Sequence, residues 1–499
     1  MSSFQRFISN ISWNILGKVC VQFLLFGVSI LLTRYLGKER LGIYATLLVI
    51  PAFVRLLNQF GLETLINKKI PELNILDPSG RQSRYLIQRL LTIRACTTLV
   101  FCGLLYIGLP YYMDFIKNPQ CLEYRPVLIL YFFVITFNSI LSTLFMTRLQ
   151  YKIVSATETG CAFLNLVFLV GFIVLDYGIY GILFAYILSS GFNILIYLGL
   201  TWNDLKGETQ APEFQEMYSL ARATYLVALL SLGLVTQADV VLMNYFQVGS
   251  VGIGLYHLAT GLGGMLAFIL VGVGPLALSI FSESYTRGSA KDLSRIWCQI
   301  VGFASFLTIP IFVFVLFNAD SFISFVYGVE FKKAGDLLSL YIIFVGCSTV
   351  LGLDFVTSTL FVLKRQGTVV RVTVEGSLLN IGLNLILIPL YQEMGAVAGT
   401  GIAMVYMVFR QLLVIQKQMN TLPVWPTIGK CLLISLVAVI PTQVFASLFF
   451  NYVLLSIFIY AFSFLIILAG LKPFTAEQTE VLQKIHSRFP IWISWFVRN

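Results

Sequence analysis

Positive charges stand in this chain where apolar residues are expected. Lys18, Arg55, Arg94 and Arg222 each fall inside or at the edge of a long apolar run. A cation at mid-bilayer costs roughly 2.5–3.5 kcal/mol on insertion scales, so four of them call for a reason. Asn14, Lys18 and Gln22 recur at i, i+4 and i+8, which puts them on one helical face. Arg55, Gln59 and Glu63 repeat that spacing. Cations on a shared polar face suit an anion, and a guanidinium offers phosphate a bidentate fork. Asp239 and Asp354 also lie in apolar runs. Either can carry a proton or hold Na⁺, which makes them the ion-coupling candidates. Structural alternatives stand beside each reading. The cations can snorkel or pair, Arg55 with Glu63 and Arg371 with Glu375, and the aspartates can pair with a hydroxyl or an arginine.

The elements that position these residues must be membrane helices. The chain is 58% hydrophobic and 11% charged, against roughly 25% charged in soluble proteins. That much apolar surface needs lipid as its solvent. A spanning helix takes about 20 apolar residues. We read about fourteen spans, near 12–33, 41–63, 88–112, 126–146, 158–176, 179–201, 221–245, 252–280, 296–317, 337–362, 370–390, 395–416, 429–450 and 452–471. The runs are too long for barrel strands and lack period-two alternation. The fold class expected is an all-α integral membrane protein. An even count puts both termini on one side. Loops on that side together with the termini carry about eighteen basic residues, against about seven opposite. The positive-inside rule then places both termini in the cytoplasm and residues 318–336 outside. The net charge of +10 follows this asymmetry, so it speaks of topology and not of nucleic acid. No cleavable signal precedes the first apolar run, so the first span is expected to stay as an anchor.

The chain also says nearly the same thing twice. TLFMTRLQ (143–150) returns as TLFVLKRQ (359–366), Glu158 returns as Glu375 and Gly178 as Gly395, all at nearly one offset. RYLGKERLGIY (34–44) is echoed by NYFQVGSVGIGLY (244–256). We read an internal duplication of about 200 residues, too long for a solenoid unit. The repeats lie six spans apart, so both halves share one orientation, related by an axis along the membrane normal. The expected organisation is a six-helix lobe at 1–206, a second at 215–420, and two further helices at 425–499. A polar linker lies near 202–220, and a helical amphipathic tail lies on the cytoplasmic membrane face.

Other chemistry is missing from the sequence. Eight cysteines form no C-x-x-C pair and only two histidines occur, His257 and His486. Neither a disulfide framework nor a zinc site follows. There is no G-x-x-x-x-G-K-[ST] loop, no D-x-D pair and no H-E-x-x-H. We expect no enzyme, no cofactor and no bound metal. Two same-orientation bundles with short loops point to an alternating-access transporter. GLGG (261–264) and GAVAG (395–399) are read as places where helices approach closely.

Three stretches resemble a known family. TRYLGKERLGIYATLLVIPAFVRLLNQFGLETLINKKIPEL (33–73) is similar to the first two helices of Wzx-type polysaccharide flippases. ADVVLMNYFQVGSVGIGLYHLATGL (238–262) resembles the second-half counterpart, and GAVAGTGIA (395–403) the start of helix twelve. The family belongs to the multidrug/oligosaccharidyl-lipid/polysaccharide exporter superfamily. The resemblance implies two six-helix lobes around a central cavity lined by helices 1, 2, 7 and 8. It implies an undecaprenyl-pyrophosphate-linked oligosaccharide as cargo, and a bacterial inner membrane location. It also implies membrane lipid, a polysaccharide polymerase and a chain-length regulator as partners. On this reading Arg55, Lys18, Arg222, Gln59, Asn14 and Arg94 are the substrate-binding residues, with Lys18, Arg55 and Arg222 favoured over Arg94. A drug or cation exporter of the superfamily, a lipid II flippase of the MurJ type, and a non-transporting scaffold of a polysaccharide-assembly complex are the rivals. A cation exporter would want carboxylates, not arginines, facing its cavity.

Overall fold

A computed structural model describes residues 3–148, 150–211, 238–267, 281, 285, 290–448, 453–471, 474–475 and 497–498. Arg222, residues 212–220 of the expected linker and 476–496 of the expected tail lie outside the described residues, as do the side chains of Asn14 and Asp354. The chain divides into two compact units, Met1–Gly254 and Leu255–Asn499. The first holds α1 (Ser3–Leu57), α2 (Leu62–Leu76), α3 (Arg81–Phe115), α4 (Arg125–Thr147), α5 (Tyr151–Val174), α6 (Gly178–Lys206), α7 (Ala238–Tyr245) and the start of α8 (Ser250–Ala267). The second holds the rest of α8, then α9 (Ala290–Tyr327), α10 (Ala334–Val350), α11 (Leu353–Val362), α12 (Gln366–Gln416), α13 (Trp425–Leu448) and α14 (Val453–Leu471). Among the described residues, strand occurs only as a two-residue parallel pairing of 474–475 with 497–498.

Ten stretches among the described residues are long and apolar enough to cross a membrane. Two of them, Gly17–Leu57 and Gln366–Gln416, run 41 and 51 residues. At about 1.5 Å per residue each is at least twice the hydrocarbon thickness of about 30 Å. Each is broken inside, at Gly37 (φ 68°) and at Gln392 (φ 53°). The halves of α12 pack against each other as a helical hairpin. Asn380 Nδ2 donates to Thr400 Oγ1 at 2.7 Å. A Cβ at Gly395 would stand 2.2 Å from the Leu387 carbonyl oxygen. The first glycine of GAVAG is thus the residue that lets this hairpin close.

The units are apolar where lipid would touch them. Leu99, Val100, Leu104 and Ile107 on α3, and Phe163, Val167 and Val174 on α5, are exposed. On the same helices Arg94, Thr98 and Glu158 are buried or half-buried. That inversion of the soluble pattern is what a lipid solvent demands.

One expected loop is a helix. Residues 64–76 fall between the expected spans 41–63 and 88–112, but α2 places Leu62, Leu65, Ile66, Ile70 and Leu73 on one buried stripe. The stripe packs on Leu86 and Leu90 of α3 and Leu141 and Phe145 of α4. The three- and four-residue spacing of these apolar side chains is the helical signal. Lys69 and Glu72 pair at 2.9 Å across one turn.

The duplicated motif has a matching job in both units. TLFMTRLQ ends α4, and Arg148 reaches Asp204 near the end of α6 at 2.8 Å. TLFVLKRQ ends α11, and with the Gln418 amide oriented to suit both groups its oxygen accepts from Arg365 Nε at 3.0 Å. Each motif therefore sends a cation to the C-terminal end of a long helix, α6 or α12, where the helix dipole favours positive charge.

The echoed glycines also meet. A Cβ at Gly42 would lie 1.7 Å from the Ser250 carbonyl oxygen, and one at Gly254 would lie 2.4 Å from the Lys38 carbonyl oxygen. Gly42→Ala should therefore lower the thermal unfolding midpoint of the purified protein, since overpacking against backbone costs roughly 1–3 kcal/mol. Gly27→Ala, with nothing within 4 Å of the added carbon, is the control and should hold or raise the midpoint. Equal midpoints for the two variants would refute the close approach.

Candidate functional site

The polar interior of the first unit is built around a break in the chain. α1 ends at Leu57, and Phe60 and Gly61 take positive φ before α2 begins. The single helical face expected for Arg55, Gln59 and Glu63 is therefore interrupted. Arg55 sits in the last turn of α1, Gln59 in the turn and Glu63 in the first turn of α2. The apolar run 46–57 gives no sign of this stop; Gly61, which adopts the left-handed conformation at no steric cost, was the available signal.

Arg94 of α3 braces the break. Its Nη1 donates to the Asn58 carbonyl and its Nη2 to Glu63 Oε1. Asn58 Nδ2 in turn donates to Thr98 Oγ1 at 3.0 Å. The cation thus meets the carbonyl end of one helix and an acid at the amide end of the next, which is where helix dipoles favour each charge. The Arg94 side chain is 0% exposed and Glu63 is 20% exposed. The expected Arg55–Glu63 pair is replaced by Arg94–Glu63. Both terminal nitrogens of Arg94 are engaged, so its present role is to hold the turn after Arg55.

Arg55 is held differently. It is half-buried, its Nε is buried without a hydrogen-bond partner, and no ion pair holds it among the described residues. It lies within electrostatic reach of Arg94, Tyr131 and Tyr186. Lys18 of α1 is also half-buried and lies within electrostatic reach of Glu158 on α5. Ser142 Oγ of α4 donates to Glu158 Oε1 at 3.0 Å. α1 and α5 come close at this level, because a Cβ at Gly17 would stand 1.9 Å from Ser155 Oγ. Glu158 drew notice in the sequence only as a repeat marker; its carboxylate inside an apolar run was the signal for more.

The remaining candidates scatter. Asp239 is buried at the start of α7. Asp354 falls in the first turn of α11, just after left-handed Gly352 interrupts the expected span 337–362. Glu375, the repeat partner of Glu158, accepts from Tyr406 Oη at 2.9 Å and lies 3.7 Å from Arg410 Nη2. The expected Arg371–Glu375 pair does not form: Arg371 is exposed, and the returning half of the α12 hairpin supplies Glu375's partners. Among the described residues no group of three or more histidines, cysteines or carboxylates could hold a metal.

Long apolar helices enclosing cations define a multi-pass helical membrane protein of a transporter fold, and solved structures share it. A lipid II flippase MurJ in an inward closed conformation aligns with a TM-score of 0.74 at 16% identity, covering 94% of this chain and 99% of that one. An inward-facing multidrug resistance MATE family transporter of the MOP superfamily gives 0.65 at 15% identity, covering 81% and 95%. A MOP superfamily transporter from Pyrococcus furiosus, described as having a binding pocket of reverse polarity, gives 0.55 at 14%, covering 84% and 95%. The search of curated proteins returned no match. The chain belongs to the polysaccharide biosynthesis protein family, whose sequence profile matches residues 31–336. It is thus a multi-pass membrane protein that shares the fold of those structures.

Proposed function

We propose that this chain is a flippase that carries an undecaprenyl-pyrophosphate-linked oligosaccharide from the cytoplasmic to the outer leaflet by alternating access. The observation that carries the reading is Arg55, a half-buried cation with no ion-pair partner among the described residues, while its neighbour Arg94 is paired with Glu63. An unpaired charge in such a place is costly unless a counter-charge arrives. The pyrophosphate supplies that charge, with Lys18 and Arg222 assisting and Gln59 and Asn14 as amide ligands. Arg94 acts through the turn that it holds. The family supports polysaccharide as the cargo class, and the likeness to a lipid II flippase supports a lipid carrier.

The reading includes fourteen crossings: two from each of the two longest stretches, one from each of the other eight, and spans 221–245 and 252–280. It keeps the lobes at 1–206 and 215–420 as parallel repeats, with 425–499 beyond them. Both termini are cytoplasmic, in a bacterial inner membrane. Exposed Ser79 and Glu330 test this orientation. Glu330→Cys should react with an impermeant maleimide added outside whole cells, and Ser79→Cys only after permeabilisation. The opposite pattern would invert the topology.

With no nucleotide motif, the driving force is the membrane potential. A cytoplasm-negative potential moves each anionic charge outward with about 2.3 kcal/mol per 100 mV. The test uses proteoliposomes with a valinomycin-set potassium potential and a labelled lipid-linked oligosaccharide. Flipping should be protein-dependent and follow the sign of the potential. No flipping above protein-free vesicles under either sign would end the flippase reading. Flipping indifferent to potential, and lost in Asp239→Asn or Asp354→Asn, would shift the drive to ion coupling.

A further inference from the structure

The interior that holds Arg55 also holds three tyrosines that the anion reading leaves unused. Tyr44 lies on α1, Tyr131 on α4 and Tyr186 on α6, and all three are half-buried. The rings of Tyr131 and Tyr186 lie 4.9 Å apart, tilted by 52°. Tyr131 and Tyr186 are both within electrostatic reach of Tyr44 on one side and of Arg55 on the other. Tyr44 precedes Arg55 by three turns of helix, about 16 Å. The tyrosines therefore form a ladder along α1 between Arg55 and its Gly37 break.

Four tyrosines of this unit have hydroxyls tied to the fold. Tyr197 is fully buried and accepts from Thr157 Oγ1 at 2.7 Å. Tyr35 donates to Asp176 at 2.7 Å, and Tyr180 donates to the Glu123 carbonyl at 2.7 Å. Tyr186 reaches Ser190. The Tyr131 hydroxyl makes no hydrogen bond among the described residues. A phenol with a half-buried ring and an uncommitted hydroxyl beside an unpaired guanidinium is placed to meet a ligand.

We propose that Tyr131 and Tyr186, continued by Tyr44, form a sugar subsite that receives the pyranose bonded directly to the pyrophosphate held at Arg55. A pyranose has apolar C–H faces and a rim of hydroxyls. An aromatic face suits the first and a phenolic hydroxyl the second, and tyrosine offers both from a rigid side chain. The first sugar is covalently adjacent to the anion, so the group that reads it must lie within a sugar's reach of the cation, and Tyr131 and Tyr186 are within electrostatic reach of it. The inference rests on the flippase reading and adds to it where cargo selection begins.

The experiment measures binding of two lipids to the purified full-length protein in nanodiscs: undecaprenyl pyrophosphate, and undecaprenyl-pyrophosphoryl-N-acetylglucosamine. The wild type should bind the glycosylated lipid about tenfold more tightly, the increment expected of one good ring contact with its hydroxyl. Tyr131→Ala and Tyr186→Ala should bring that ratio to about one or two. Tyr131→Phe, which keeps the ring and its packing, should retain an intermediate ratio. Arg55→Ala should weaken both lipids and leave the ratio standing. The ratio is the readout, so a uniform loss from disturbed packing does not count as support. A wild type that binds both lipids equally, or tyrosine variants that weaken both in parallel, would overturn the subsite and leave the flippase reading intact. A wild type that binds neither lipid would bring down both.

Discussion

Arg55→Ala is expected to reduce transport of the lipid-linked cargo by about 30- to 3,000-fold, the range for truncating one partner of a buried, hydrogen-bonded charge pair. The fold should survive, because Arg55 makes no ion pair among the described residues that its loss would break. Removing it takes away an uncompensated charge, so the thermal midpoint should hold or rise while transport falls. Arg55→Lys should keep part of the activity, since the charge remains but the planar fork does not. Arg371→Ala should behave as wild type, because Arg371 is exposed and holds no partner carboxylate among the described residues. The measurement is complementation of surface polysaccharide at matched protein levels, with unfolding midpoints taken in parallel. Wild-type activity of Arg55→Ala would end the anion-site claim.

The largest loss of stability is expected from Glu63→Leu. Breaking a buried pair by removing one partner typically costs about 3–5 kcal/mol. The two sides of this pair are unequal. Glu63 is 20% exposed and keeps access to its surroundings when Arg94 is removed. Arg94 is 0% exposed, and a guanidinium does not deprotonate in proteins. Glu63→Leu therefore strands a fully buried charge, whereas Arg94→Met leaves a partly exposed one and should cost less. The double variant Glu63→Leu/Arg94→Met should recover most of the midpoint, because an apolar pair of similar volume replaces an ionic one at little cost. Thermal unfolding in one detergent ranks the three variants. A double variant no better than Glu63→Leu alone would remove the ion pair as the cause.

Much of the architecture could be read from the residues. Runs of apolar side chains fixed where helices cross, and the reversals at Gly37 and Gln392 fall between spans already separated in the sequence. What escaped were features decided by local backbone and by partners far along the chain. The stop at Asn58–Gly61 is hidden because the residues before it are as apolar as any span. α2 escaped because its lysines and glutamate outweighed a five-residue stripe. Glu63 has cations both on its own segment and on α3, and spacing favours the near one, Arg55. Only the folded chain shows that Arg94 reaches the broken turn and takes it. The tyrosine ladder was invisible for another reason. Tyrosine counts as apolar in a span, and nothing in its spacing on three helices says that the rings converge.

The Arg94–Glu63 pair also bears on how the chain enters its membrane. A helix with an arginine in it partitions reluctantly from the translocon into lipid, at a cost of about 2.5–3.5 kcal/mol for a central position. Glu63 precedes its partner by 31 residues. At about 5–20 residues per second, it leaves the ribosome roughly two to six seconds before Arg94. The counter-charge is therefore already waiting at the membrane when the arginine arrives. α3 need never meet the bilayer as an isolated charged segment, and its insertion becomes a cooperative step with the end of α1 and the start of α2. The order of residues along the chain thus doubles as an assembly schedule, with the acid delivered first and the base second.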